Sequence, residues 1–191
     1  LIRCRTYGLS RINRLSLRTE RLILRAPRLE DAGALMAVFG DAIAMRYVNH
    51  GKTRSLDEVG ASLEKKIRCL AEHGVTMFTV IRRDTSQIIG DCGVIPIDWT
   101  EPEFELGYRF RESAWGRGFA TEAGIAAMEH AWRASTLETI YAVAELENHA
   151  SQRVLTKIGF LDDGVTDKYY DASLRFFRMD RPGSHPANDP V

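Results

Sequence analysis

Trp115-Gly116-Arg117-Gly118-Phe119-Ala120-Thr121-Glu122-Ala123 places two glycines two residues apart at the head of an apolar-periodic run. Just before it, Glu103-Phe104-Glu105-Leu106-Gly107-Tyr108-Arg109-Phe110 alternates apolar and polar residues, the pattern of a strand with one buried face. A glycine turn that feeds a helix aims several backbone N–H groups at one point, and the helix dipole adds partial positive charge there. Glycine also leaves room for a ligand beside the backbone. Strand, turn and helix together predict a phosphate or pyrophosphate cradle. The same residues would equally serve as an ordinary turn before a core helix, because short glycine patterns are common.

Working outward, Phe119, Ala123, Ala127 and Ala131 form one stripe of the helix, with Ala120, Gly124, Met128 and Trp132 beside it. Residues this small predict close packing on a sheet. A strand over 139–144 follows, then a helix over 150–158 stopped by Gly159, and strands at 160–161 and 174–179. Upstream, 21–25 reads as a first strand ended by Pro27, and Asp31 is placed to cap a helix carrying Leu35, Val38 and Phe39. Ser55-Leu56-Asp57-Glu58 is a capping box ahead of Val59, Leu63, Ile67 and Leu70, and that helix ends near Gly74. Strands over 76–81 and 87–95 flank a hairpin turn at 82–86.

The 191 residues suit a single domain over 19–181. Residues 1–18 are expected to be a basic, flexible leader, since five arginines precede the first acidic residue, Glu20; a transit peptide has a similar composition. Residues 182–191 are expected to be a disordered tail. A net charge of +0 supplies no drive toward nucleic acid or an anionic membrane, and no apolar run approaches the ~20 residues of a span. Cys4, Cys69 and Cys92 form neither a CxxC pair nor a disulfide framework, which points to a reducing, cytoplasmic setting. The five histidines lack metal-ligand spacing, so no metal is expected. Gly51-Lys52-Thr53 lacks the upstream glycine of a P-loop, where Arg46 stands.

Three segments in order now carry a family resemblance: Glu105 to Phe110, Trp115 to Ala123, and Asn148-His149-Ala150-Ser151-Gln152-Arg153-Val154-Leu155-Thr156-Lys157-Ile158-Gly159-Phe160. The chain resembles the GNAT superfamily of acyl-CoA-dependent N-acetyltransferases, and within it is most similar to the RimJ/RimL-like branch. The resemblance implies an α/β fold with a central mixed, mostly antiparallel sheet flanked by helices, in which a splayed parallel strand pair holds the cofactor. It implies acetyl-CoA as cosubstrate and an amine acceptor, either a protein or peptide N-terminus or a small molecule, attacked directly in a ternary complex; it leaves room for a homodimer. Two positions depart from the broad pattern. Trp115 stands where Arg or Gln opens the glycine loop, and Leu155 stands where a general-acid Tyr is often found.

On this footing the pyrophosphate falls to the loop Trp115, Gly116, Arg117, Gly118, Phe119, Ala120 and Thr121, with Arg117 adding charge unless it is simply a solvated side chain. The backbone of Phe110 would pair with the pantetheine arm as an added strand does. Asn148 and Ser151 would bridge that arm, or else merely cap a helix. Glu105 is the candidate general base, directly or through water, unless it is a solvated strand carboxylate; Asp91 and Glu103 are weaker candidates. Ser151, Tyr169 and Tyr170 are the candidates for protonating the leaving thiolate, and the acceptor side falls to the first two helices and to 162–173. The rival class is an acyl-CoA-binding sensor without turnover.

Overall fold

The computed structural model describes residues 14–100 and 102–183. Its strands are β1 (Ser16–Arg18), β2 (Leu22–Arg25), β3 (Met77–Arg82), β4 (Ile88–Pro96), β5 (Phe104–Phe110), β6 (Thr139–Glu145), β7 (Leu161–Thr166) and β8 (Leu174–Asp180). The helices are α1 (Ala32–Phe39), α2 (Ala42–Met45), α3 (Leu56–His73), α4 (Phe119–Ala134) and α5 (His149–Ile158). The strands form one sheet in the order β1-β2-β3-β4-β5-β6-β8-β7. Every neighbouring pair is antiparallel except β5 and β6, as the resemblance implies. Ser16–Arg18 pairs with Leu22–Arg25, so the sheet begins inside the segment expected to be a leader. Residues 1–13 and 184–191 lie outside the described residues.

The small-residue stripe of α4 is buried at Phe119, Ala123, Ala127 and Ala131. A Cβ at Gly124 would come within 2.4 Å of Ile158 Cδ1, so glycine is what lets α4 and α5 close on each other. The opposite face of the sheet is covered too. Leu35, Val38, Phe39, Met45, Val59 and Leu63 form a second apolar cluster there. This second layer changes the reading of β5. Its polar face was expected to be open, yet Glu105 is 6% exposed.

Three local expectations are corrected. Asp31 does not cap α1; it is 2% exposed and accepts from Arg25 at 2.8 and 2.5 Å, from the Thr79 hydroxyl and from the Arg28 N–H. On α3 the buried stripe runs Val59, Leu63, Lys66, Leu70, with Lys66 in the interior and Ile67 only half-buried. The strand expected at 160–161 extends as β7 through Thr166. Other signals are realised: the Ser55–Glu58 capping box closes in both directions, and α3 and α5 end on left-handed Gly74 and Gly159. Among the described residues no helix is long and apolar enough to cross a membrane, and no three His, Cys, Asp or Glu side chains are grouped to hold a metal.

Candidate active site

β5 and β6 touch through a single bridge, Glu105 to Tyr141, whereas β6 and β8 share seven paired positions. Beyond Glu105 the two parallel strands part. The Arg111 N–H bonds to the Ile89 carbonyl at 2.9 Å, so the odd-numbered residues of β5 direct their backbone groups to β4. Alternation then turns the backbone of Tyr108 and Phe110 toward the gap. The Phe110 carbonyl accepts from the Trp115 indole N–H at 2.8 Å, so that acceptor is already engaged from within the chain.

Two clefts lie along the gap. One, of about 320 Å³, is lined by Phe110, Trp115, Gly116, Gly118, Phe119, Ala120 and Thr121 on one side and by Ala150, Arg153, Val154 and Lys157 on the other. Gly118, at φ 78°, turns the chain into α4 in the left-handed region that favours glycine, and no side chain caps that terminus. The first intrahelical bond is from the Glu122 N–H to the Gly118 carbonyl, which leaves the N–H groups of Phe119, Ala120 and Thr121 without helical acceptors. Arg21, Arg117 and Arg82 crowd the Phe119 ring at 4.8, 4.9 and 5.7 Å. Arg117 does not line the cleft; it is exposed, and its carbonyl accepts from Arg21. An uncapped helix start that opens on the cleft is suited to a diphosphate, while the three guanidiniums lie outside the cleft lining and Arg21 and Arg82 are paired with Glu122 and Asp84.

The other cleft, of about 220 Å³, is lined by Glu105, Arg54, Arg109, Asn49, Trp99 and Tyr170 among others. Tyr47, Val48, Tyr108, Arg109, Asn148 and Ser151 line both, so the two spaces adjoin. At the join the Tyr108 hydroxyl and Ser151 Oγ are 2.8 Å apart. Asn148 Oδ1 accepts from the Ser151 N–H at 3.1 Å and caps α5; its side-chain N–H groups make no hydrogen bond among the described residues. Leu155 occupies the cleft wall with no proton to offer.

Glu105 accepts a short hydrogen bond from the Tyr170 hydroxyl, which in turn accepts from the Asp98 N–H at 2.8 Å. Burial pushes the Glu105 carboxyl up to about 7, with the Asp98 charge adding to the rise and Tyr170 and Arg109 opposing it. The two turns that meet here are backbone-strained: Asp98, Trp99, Tyr170 and Asp171 all have positive φ between 48 and 60°. Burial, with the Glu105 charge beside it, drives the Tyr170 phenol upward, so it stays protonated and donates.

Tyr169 is not brought to either cleft. Its hydroxyl donates to Glu103 at 2.8 Å and its ring stacks on Phe176. The neighbouring Tyr170 takes the place at the site, a choice that alternation in an irregular turn could not signal. Glu103 is engaged by Lys168 at 2.6 Å as well, and Asp91 is locked to buried Lys66 at 2.6 Å, so neither weaker candidate is available as a base. Tyr108, Arg54 and Arg109 were missed. Tyr108 lay on the apolar alternation of β5, and Arg54 carries no local signal at all.

Residues 21–161 match the family model described as an acetyltransferase (GNAT) domain. The uncharacterized N-acetyltransferase p20 of Bacillus licheniformis is 30% identical over 160 residues, 84% of this chain and 90% of the relative. A crystal structure of an acetyltransferase from Agrobacterium tumefaciens, 25% identical, superposes with a TM-score of 0.74 over 86% of this chain and 94% of that one. The ribosomal L7/L12 α-N-protein acetyltransferase RimL, solved in complex with coenzyme A, shares the fold at a TM-score of 0.73 and 18% identity, covering 87% of this chain and 98% of that one. With the matched region spanning strands β3 to β6, the glycine turn and α5, the chain belongs to the GNAT family of acetyltransferases.

Proposed function

We propose that this chain transfers the acetyl group of acetyl-CoA to a primary amine, by direct attack in a ternary complex. The acceptor is a peptide N-terminus or a small-molecule amine. The observation that supports this best is that the two clefts adjoin, with Glu105 on one side of the shared wall and the uncapped start of α4 on the other. The N–H groups of Phe119, Ala120 and Thr121 would hold the diphosphate. Tyr108 and Phe110, on the open edge of β5, and the side-chain amide of Asn148 would meet the pantetheine arm. The cosubstrate supplies an acyl carbon activated as a thioester.

An amine is mostly ammonium at neutral pH and must shed a proton before it attacks. Glu105, pushed up to about 7, is balanced to take that proton. As the new C–N bond forms, the C–S bond breaks and the nitrogen gives up its second proton to solvent. A backbone N–H on the open edge of β5 would steady the acyl oxygen. The thiolate takes a proton from the Tyr108–Ser151 hydroxyl pair, which solvent then restores. This assigns the proton delivery to Tyr108 and Ser151 in place of Tyr169. The catalytic unit runs from β1 through β8, and a cytoplasmic setting is part of the same reading.

The test is an amine and peptide panel with acetyl-CoA and a free-thiol readout. Glu105→Gln is expected to keep acetyl-CoA affinity by calorimetry while kcat/KM near neutral pH falls about 10²- to 10⁴-fold. The parent's kcat/KM should climb as pH rises through about 7, because the base acts as the carboxylate. Unchanged turnover in the variant removes Glu105 from the mechanism.

A further inference from the structure

The amine chemistry leaves two arginines at the acceptor cleft without a role. Arg109 shares the Glu105 face of β5. Its side chain is 15% exposed and approaches Asp91 Oδ2 at 3.5 Å, and no hydrogen bond among the described residues takes any of its N–H donors. Arg54, half-buried between α2 and α3, lines the same cleft and spends one donor on Ser62 Oγ at 3.3 Å. Both guanidiniums face the Phe39 ring, at 5.8 and 5.2 Å. Beneath them Lys66 and Asp91, each 1% exposed, are paired at 2.6 Å. Three cations, Lys66, Arg109 and Arg54, therefore act on one buried carboxylate.

Glu58 and Glu105 act on Arg54 and Arg109 through space, but neither makes a hydrogen bond to a guanidinium there among the described residues. Glu58 is turned to the Ser55 N–H, and Glu105 is held by Tyr170. Arg54 spends one donor on a neutral hydroxyl and Arg109 meets Asp91 only at 3.5 Å, so among the described residues most of their N–H donors are unspent, and the planar fork of a guanidinium matches the two oxygens of a carboxylate or phosphate. Arg54 lines the acceptor cleft alone and Arg109 lines both clefts, so the acceptor cleft is the space that the two arginines share.

Building on the acetyltransferase reading, we infer that Arg54 and Arg109 form an anion subsite, and that the acceptor amine bears a carboxylate or phosphate seated there while its nitrogen reaches Glu105. The acceptor is thus zwitterionic, its two charges read at opposite walls of one cleft.

Matched pairs of amines test this: amino acids against their amides and methyl esters for the carboxylate arm, and phosphoethanolamine against ethanolamine for the phosphate arm. The member with the free anion is expected to be favoured at least tenfold in kcat/KM, mainly through KM, and the arm with the larger preference names the oxyanion. Arg54→Gln should bring that preference to within about threefold at unchanged acetyl-CoA affinity, and Arg54→Lys should restore it in part. A melting curve like the parent's, with acetyl-CoA bound normally, shows that the variant is folded. Equal or better use of the masked members overturns the subsite while leaving acetyl transfer intact. So does inertness of every anion-bearing amine in a protein that binds acetyl-CoA. Failure to bind acetyl-CoA at all instead removes the acetyltransferase reading on which the subsite rests.

Discussion

Asp91 on β4 and Glu105 on β5 lie on one face of the same antiparallel ladder, opposite Arg109 and Ile95 respectively, and both are buried. Their surroundings drive them to opposite states. Burial alone would raise both. Around Asp91, the charges of Lys66, Arg109 and Arg54 and the Lys66 hydrogen bond outweigh it, and the carboxyl is held below its usual range. Around Glu105 burial prevails, because the help comes from a neutral phenol and one more distant arginine, and Asp98 works against it. Two carboxylates on one sheet face therefore divide the labour: Asp91 anchors α3 to the sheet as a permanent anion, and Glu105 can exchange a proton near neutrality. The lesson is that burial does not set the role of a carboxylate; the count of cations beside it does.

The comparison is tested most severely at Asp91. Asp91→Ala strands the buried Lys66 ammonium, so the folded state should lose about 3–5 kcal/mol in urea denaturation near pH 7. A loss under about 1 kcal/mol would show that the pair is not the anchor described, since breaking one partner of a buried pair is expensive.

Glu105→Gln should act in the reverse direction on stability. A carboxyl raised from 4.5 to about 7 in the fold contributes stability below its unfolded value, and that contribution is lost as pH rises through about 7. The variant should therefore match the parent near pH 4 and exceed it near pH 8 by roughly 2–3 kcal/mol. Asp91, held low, has the opposite sign: its contribution is present above the ordinary carboxylate range and disappears as pH falls. Thermal melts of the Glu105→Gln variant at both pH values decide the matter, and a gap that does not widen with pH refutes the contrast.

The smallest effect concerns Tyr170. Its hydroxyl favours the charged form of Glu105, so Tyr170→Phe should move the acid limb of the rate profile to higher pH. Turnover near pH 7 should then fall roughly 3- to 10-fold and recover at higher pH. A loss that no rise in pH restores would mean that Tyr170 shapes the cleft rather than tunes the base.

The two halves of the site differed in how far they could be read from the chain. The cofactor side was legible because its chemistry is local. Gly118 starts α4 at the residue where the glycine pattern places it, Asn148 opens α5, and both lie within short contiguous segments that line one cleft. The acceptor side was not. Glu105 was picked out from strand alternation, but its burial required α1 and α3 to cover a sheet face that the alternation marks as polar. Tyr169 and Tyr170 stood side by side as candidates, and the choice between them turned on a left-handed pair, Tyr170 and Asp171, that no propensity announces. Lys66 fell on the buried stripe of α3 because Asp91, 25 residues away, receives it.

The residue order by itself thus determined the succession of strands and helices apart from β1 and α2, the glycine turn, the caps of α3 and α5, and the family. Each of these depends on neighbours within a few positions of one another, where periodicity and capping chemistry act. Only the tertiary structure decided which ionisable groups share a dry space: Glu105 with Tyr170, Asp91 with Lys66, and Arg54 with Arg109 over Phe39. Charge states and the demands of an acceptor arise from desolvation and from through-space distances, and those exist only once distant segments have been packed together.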